Sequence, residues 1–426
     1  MMDISHENRL LLYCAQNGMP EDTLNEVKDI MSLSLNWEEV LASAFWHGIA
    51  PLLYHNLKHI SKNYYVPQEV MAQLRTAYQG NLARNMYLYA ELKRSLEAFY
   101  DKGVKVIVLK GAALAKIVYD DIGLRQMSDI DLLVKQEDLS HAEKIMSGLG
   151  YYFHGNMPPE WYRENHQHIS YIHPETNIPV EIHWHIAKKT HMSRIRIVDT
   201  DIIEEWWEGV KTLEFCSNKA FILCPDDLII HLCLHFFKHR FISQNRGFTS
   251  KGALIQMCDI FQTLKYYRHE IDWVRLKGKA EQYGIDTLMY TTLFIVKEIM
   301  GEHDDIFHNI LWRFRSEDLD HELVQLIKKR LLNKEDALTI IPNTLIRSRV
   351  AHTFQEKIKI LLRGTFPNPE IISKKYSIPL TAKMLYFYYV IYPFHLLLKY
   401  RKTMFEMSRT REEAVLNTWI NSQDNT

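Results

Sequence analysis

The chain has 426 residues, 47% of them apolar, with 51 Lys and Arg set against 52 Asp and Glu. That length implies two or three packed units, and the even charge argues against binding long nucleic acid, which draws on a surplus of Lys and Arg. Cys14, Cys216, Cys224, Cys233 and Cys258 stand far apart with no C-x-x-C pair, which indicates neither a disulfide framework nor a zinc knuckle and fits a reducing, cytoplasmic setting.

The start, MMDISHENRLLLYC, places an acidic residue and a histidine where a signal peptide carries basic ones, so secretion is not expected. The first hundred residues read as helices. WEEVLASAFWHGIAPLLYHNLKHI (37–60) has helical periodicity broken at Gly48 and Pro51, which predicts a helical pair. From Pro67 to Tyr100 the positions Val70, Leu74, Ala77, Leu82, Met86, Tyr89, Leu92, Leu96 and Phe99 recur at helical spacing, and Lys102-Gly103 supplies a stop. One long amphipathic helix is expected there.

The period then becomes extended. VKVIVLK (104–110) is apolar and β-branched, a helix is expected from about Ala112 to Tyr119, and SDIDLLV (128–134) alternates. EDLSHAEKIMSGLG (137–150) reads as a helix. HISYIHPETNIPVEIHW (168–184) gives two alternating runs joined by Pro-Glu-Thr-Asn, a hairpin signal. From about 190 the chain returns to helices, near 225–241, 252–266, 284–300, 319–332 and 349–363, with a Gly and Pro cluster at 364–379 as the linker before the last one. MLYFYYVIYPFHLLL (384–398) has 15 residues, short of the roughly 20 that span a bilayer, and Pro393 and His395 interrupt it. It is expected to be a buried or interfacial helix with its aromatic run packed in the core, and contact with a membrane surface or a partner is the alternative.

Alternation sends residues i and i+2 to one face of a strand. Asp129 and Asp131 therefore point together, with Ile130, Leu132 and Val134 on the opposite side. Carboxylates this close repel unless a cation lies between them, and Mg²⁺ takes oxygen ligands. The same rule puts Glu181, His183 and His185 on one face of VEIHWHI, so Glu181 offers a third carboxylate. Lys110-Gly111 lies where a strand runs into a helix, a place where backbone N–H groups and the helix dipole favour phosphate, and Arg125 adds a planar fork. Each piece alone fits something ordinary: a solvated strand face, a strand-to-helix turn, a polar hairpin edge. His231, His235 and His239 share one helix face with no H-E-x-x-H pattern. They are candidates to line an acceptor pocket, with packing as the alternative; His166 and His168, on the opposing hairpin arm, carry less weight.

Together these residues resemble a known family. The order LKGAAL, Tyr119, Arg125, SDIDLLV and VEIHW is similar to the nucleotidyltransferase fold of the DNA polymerase β superfamily, and more narrowly to a bacterial nucleotidyltransferase family described as uncharacterised. HLCLHFFKH and QMCDI, with Asp259, extend the likeness. There are two departures from the wider superfamily. Gly111-Ala112 stands where Gly-Ser is usual, and the 17 residues between Gly111 and Asp129 exceed the common spacing. Antitoxin-paired toxin nucleotidyltransferases carry a similar Lys-Gly turn and Arg-x-x-Ser-Asp-x-Asp.

The resemblance implies an α+β protein with a polymerase-β-type core of mixed sheet and helices (101–190), an N-terminal helical region (1–100) and a C-terminal helical domain (191–426). It implies that Asp129 and Asp131 bind two Mg²⁺ ions and that Glu181 holds the catalytic one. Lys110, Gly111, Ala112, Arg125, Ser128 and His183 would bind the nucleoside triphosphate, ATP or another NTP. The expected reaction moves a nucleotidyl group to a hydroxyl or phosphate of a modified peptide, a sugar or an RNA end and releases pyrophosphate. Toxin-like transfer to tRNA, transfer of a sugar from a nucleotide-activated donor, and an inactive binding scaffold are the alternatives.

Overall fold

The computed structural model describes residues 4–60, 66–187, 200–215, 218–242 and 250–301, with scattered residues beyond them. The chain divides into two compact units, Met1–Phe237 with Lys251–Leu319, and Lys238–Ser250 with Asp320–Thr426. The helices expected at 319–332 and 349–363 and the linker expected at 364–379 lie outside the described residues or almost so, as does most of 384–398. No described helix is long and apolar enough to cross a membrane.

In the first unit, α1 (His6–Cys14), α2 (Glu21–Met31), α3 (Trp37–His47) and α4 (Ala50–Ile60) precede the long α5 (Gln68–Asp101). The break between α3 and α4 falls at Gly48, whose φ of 73° closes α3 in the left-handed conformation that glycine adopts without strain. The α/β part follows as β1 (Ile107–Val108), α6 (Lys110–Ile117), β2 (Ile130–Leu133), α7 (Leu139–Gly148), β3 (Tyr152–Phe153), α8 (Pro159–Asn165), β4 (His168–Ile172) and β5 (Pro179–His183). Then come α9 (Thr200–Glu208), β6 (Lys211–Phe215), β7 (Asn218–Ile222), α10 (Pro225–Phe237), α11 (Ala253–Tyr266), α12 (Trp273–Tyr283) and α13 (Asp286–Met300).

The seven strands form one mixed sheet in the order β3-β4-β5-β2-β1-β7-β6. The α+β expectation holds, with one addition: β6 and β7 lie in the stretch read as helical, and β7 pairs parallel to β1 through Ile107 and Phe221. The sheet thus draws on both sides of the boundary expected at residue 190. One face of it is hydrocarbon. Ile130, Leu132 and Val134 of the β2 region and Val180, Ile182 and Trp184 of the β5 region pack with Leu88, Leu92, Leu96 and Phe99 of α5 and with Ala142 and Met146 of α7. Each such side chain contributes about 1.5–3 kcal/mol on burial. The opposite face carries Asp131, Glu181 and His183 beside the buried Ile107 and Leu133.

Candidate active site

Two strand pairings place the carboxylates. β2 and β5 run parallel with Asp131 opposite Glu181 and Leu133 opposite His183, so both acidic groups leave the sheet on the face away from α5. β4 runs antiparallel to β5 with His168 opposite His183. Asp129 enters two residues before Asp131. One carboxylate oxygen each from Asp129, Asp131 and Glu181 lie within 4.8 Å of one another.

The start of α6 stands beside them. The Leu109 N–H donates to the Asp131 carbonyl at 3.0 Å, and the Lys110 ammonium then reaches the Asp131 carboxylate at 2.8 Å. Lys110 does this with φ at +42°, a left-handed backbone that costs an L-residue about 1–2 kcal/mol. At Gly111 an added Cβ would meet Arg125 Nη1 at 3.0 Å and Met127 Cγ at 3.1 Å. The glycine therefore makes room for the segment that leads into Asp129.

That segment is clamped from α5. Tyr78 donates to Asp121 at 2.8 Å, Asn81 to the Gly123 carbonyl at 2.7 Å, and Asn85 to the carbonyls of Ile122 and, at 2.8 Å, Arg125. Arg84 donates to the Met127 carbonyl at 3.2 Å and to that of Ser128 at 2.9 Å. The long Gly111-to-Asp129 span is thereby held along its second half. Ser128 closes it, its hydroxyl 3.0 Å from the Asp129 carboxylate.

Charge in the site is finely divided. Burial pushes Asp129 up, and the neighbouring Asp131 pushes it further, to about 6. Burial also acts on Asp131, but Lys110 and the hydrogen bond from His183 outweigh it and hold that carboxyl well below the usual range. His183 Nε2 lies 2.9 Å from Asp131 and 3.3 Å from Glu181. Its pKa is raised, because those two acidic partners overcome the effect of burial. Glu181 is lowered in turn: His183 and His168 outweigh its burial. Lys110 stays charged, since Asp131 and Glu181 overcome its desolvation.

An all-oxygen set of three carboxylates, with an ammonium against one of them, fits hard divalent cations. Asp129, Asp131 and Glu181 are the residues that would hold them. Gly111 and Ala112 are buried at the first turn of α6.

Arg125 departs from expectation. Its guanidinium is closed on Asp259 of α11, at 2.6 Å and 3.2 Å, and Nη1 donates to the Gln126 carbonyl at 2.6 Å. Tyr119 donates to the same Asp259 carboxylate at 2.9 Å. Three of the five guanidinium N–H donors are thus used inside the protein, two of them on one buried carboxylate.

The α10 histidines also differ from one another. His231 is buried with its ring 6.3 Å from that of Trp206, His235 is half-buried, and His239 lies past α10 in the π-helical turn Lys238–Ile242. Among the described residues, the two groups suited to a metal ion both contain Glu181, and neither includes an α10 histidine. His168, given little weight from sequence, belongs to one of them. Register alone brings it there.

No curated protein and no solved structure matches the chain. Residues 34–301, from α3 to the end of α13, match the family described as uncharacterised nucleotidyltransferase.

Proposed function

Because the chain belongs to this nucleotidyltransferase family, we propose that it is a Mg²⁺-dependent transferase that moves a nucleotidyl group from an NTP to a hydroxyl or phosphate acceptor. The observation that carries this reading is the convergence of Asp129, Asp131 and Glu181 beside the first turn of α6. Asp129, Asp131 and Glu181 would hold two Mg²⁺ ions, which when bound would supply Lewis-acid activation and charge neutralisation at the phosphate oxygens.

The chain's own residues do the rest. Asp129 and Asp131 would hold both cations, and Glu181 would hold one of them and take the proton of the attacking hydroxyl. The acceptor oxygen bonds to the α-phosphorus as the bond from α-phosphorus to the bridging oxygen breaks, and pyrophosphate leaves. Lys110 exchanges Asp131 for a phosphate oxygen once the carboxylates have their cations. The backbone of Gly111 and Ala112 meets the triphosphate at the helix start, with Ser128 and His183 flanking it. Arg125, locked to Asp259, positions the segment carrying Ser128 and Asp129 instead of gripping phosphate. Rate comes mainly from positioning and from charge neutralisation.

The test uses the full chain with each α-labelled NTP, Mg²⁺ and a cell lysate as acceptor source. A labelled product forms, chelation abolishes it, and the Asp129→Asn, Asp131→Asn double variant loses at least about 10³-fold in rate. Transfer that persists in that variant overturns the proposal. Failure of NTP with Mg²⁺ to raise the melting temperature favours a binding scaffold.

A further inference from the structure

The histidine side of Glu181 has a chemistry of its own. His168 on β4 and His183 on β5 face each other across the antiparallel pair, their ring centroids 4.7 Å apart. Each points a ring nitrogen at Glu181: His168 Nε2 is 3.6 Å from Oε1, and His183 Nε2 is 3.3 Å from Oε2. The ligand atoms of the three residues lie within 4.8 Å of one another. Two imidazole nitrogens and a carboxylate are a donor set that a tetrahedral ion of the Zn²⁺ class takes.

A second observation comes from Gln167, which is 4% exposed. Its amide nitrogen sits 3.2 Å from His168 Nδ1, while its buried Oε1 has no hydrogen-bond partner among the described residues. A half-turn of that amide brings Oε1 to His168 Nδ1 as an acceptor. The proton then resides on Nδ1, and Nε2 is released as a ligand, the support that a metal-bound histidine needs. Asp131 Oδ1, 2.9 Å from His183 Nε2, stands ready as a fourth donor.

We infer that His168, Glu181 and His183 form a second metal site, one that takes a borderline divalent ion of the Zn²⁺ class and shares Glu181 with the aspartate pair. Imidazole suits such ions and suits Mg²⁺ poorly. An ion seated there draws Glu181 away from the oxygen-only set, so Zn²⁺ and Mg²⁺ oppose each other. Asp129 belongs to one donor set and not to the other, so changing it tells the two sites apart.

Co²⁺ is the probe, as a visible stand-in for Zn²⁺, added to the full chain without Mg²⁺. The wild type and Asp129→Asn both give the intense ligand-field bands of a low-coordinate ion, and Zn²⁺ bleaches them. His168→Gln weakens Co²⁺ binding at least about tenfold and removes the rise in melting temperature that Zn²⁺ gives the wild type. His168→Asn repeats the measurement if the glutamine variant melts early without metal. Equal affinity in wild type and both His168 variants overturns the inference. So does the weak spectrum of an octahedral ion, or a loss of the bands in Asp129→Asn as large as in His168→Gln, which would place the ion among the carboxylates.

Discussion

Asp129 retains its proton up to a pH of about 6, whereas Asp131, two residues on and tied to Lys110 and His183, is ionised well below the usual range. The folded protein therefore binds more protons at Asp129 than the unfolded chain between about pH 4 and 6. Asp129 accordingly contributes stability that is fully present below about pH 4 and is lost as pH rises through about 6. Mg²⁺ competes with that proton, so its affinity falls by up to about tenfold per pH unit below 6. Titration calorimetry from pH 5 to 8 measures this, and Asp129→Asn removes that proton-linked slope; an affinity flat from pH 5 to 7 in the wild type contradicts it. The three acidic positions were legible because a strand's period of two needs only the local sequence. His168 was not, since its place beside Glu181 depends on how two strands align. Lys110 and Arg125 announced their charge but not their partners, which lie 21 and 134 residues away.

At the scale of elements, α5 serves two purposes. Its apolar stripe covers the sheet, as its periodicity predicted, while Tyr78, Asn81, Arg84 and Asn85 hold the 121–128 segment. Nothing in the helical pattern marks that second purpose, because the carbonyls being held belong to a loop far along the chain. Asn85→Ala leaves two carbonyls without their donor and costs about 1–3 kcal/mol, read by chemical denaturation. It also loosens the approach to Asp129, so kcat falls more than KM rises. A variant as stable and as active as the wild type would show that the clamp is dispensable. The β6–β7 hairpin escaped the sequence for a related reason. Its strands are five residues each, their outer positions are polar, and the sequence between them, Cys216 and Ser217, has neither Gly nor Pro.

Across the whole first unit, the stretch that follows α1 ties together regions that sequence reading kept apart. Asn56 of α4 donates to the carbonyls of Cys14 and Gln16 at 2.9 Å and 2.8 Å, and Cys258 of α11 to that of Ala15 at 2.6 Å. Asn17 donates to the Tyr119 carbonyl at 2.9 Å. Helices from both ends of the matched region and the α/β core therefore meet within a few residues, in one compact unit. Expressed alone, residues 101–190 lack α5 over the sheet and β7 beside β1, and remain without a cooperative melt by circular dichroism; a sharp transition in that fragment would restore the three-part division. Fold class was readable because period changes are local, whereas the ties of the 14–17 stretch to α11 and to the α/β core were not, because they join residues more than a hundred positions apart.

Strand register also decides where the chain tolerates a change of length. Asp131 faces Glu181 because two parallel strands align residue against residue. Deleting one position inside β5 ahead of Glu181 would turn hydrocarbon toward the aspartates and drive the carboxylate into the α5 side. Residues 174–177, exposed at the tip of the hairpin just upstream, sit outside that alignment, so extra residues there only lengthen the tip. Within this short span, insertions at one end are harmless and a single loss at the other abolishes the chemistry.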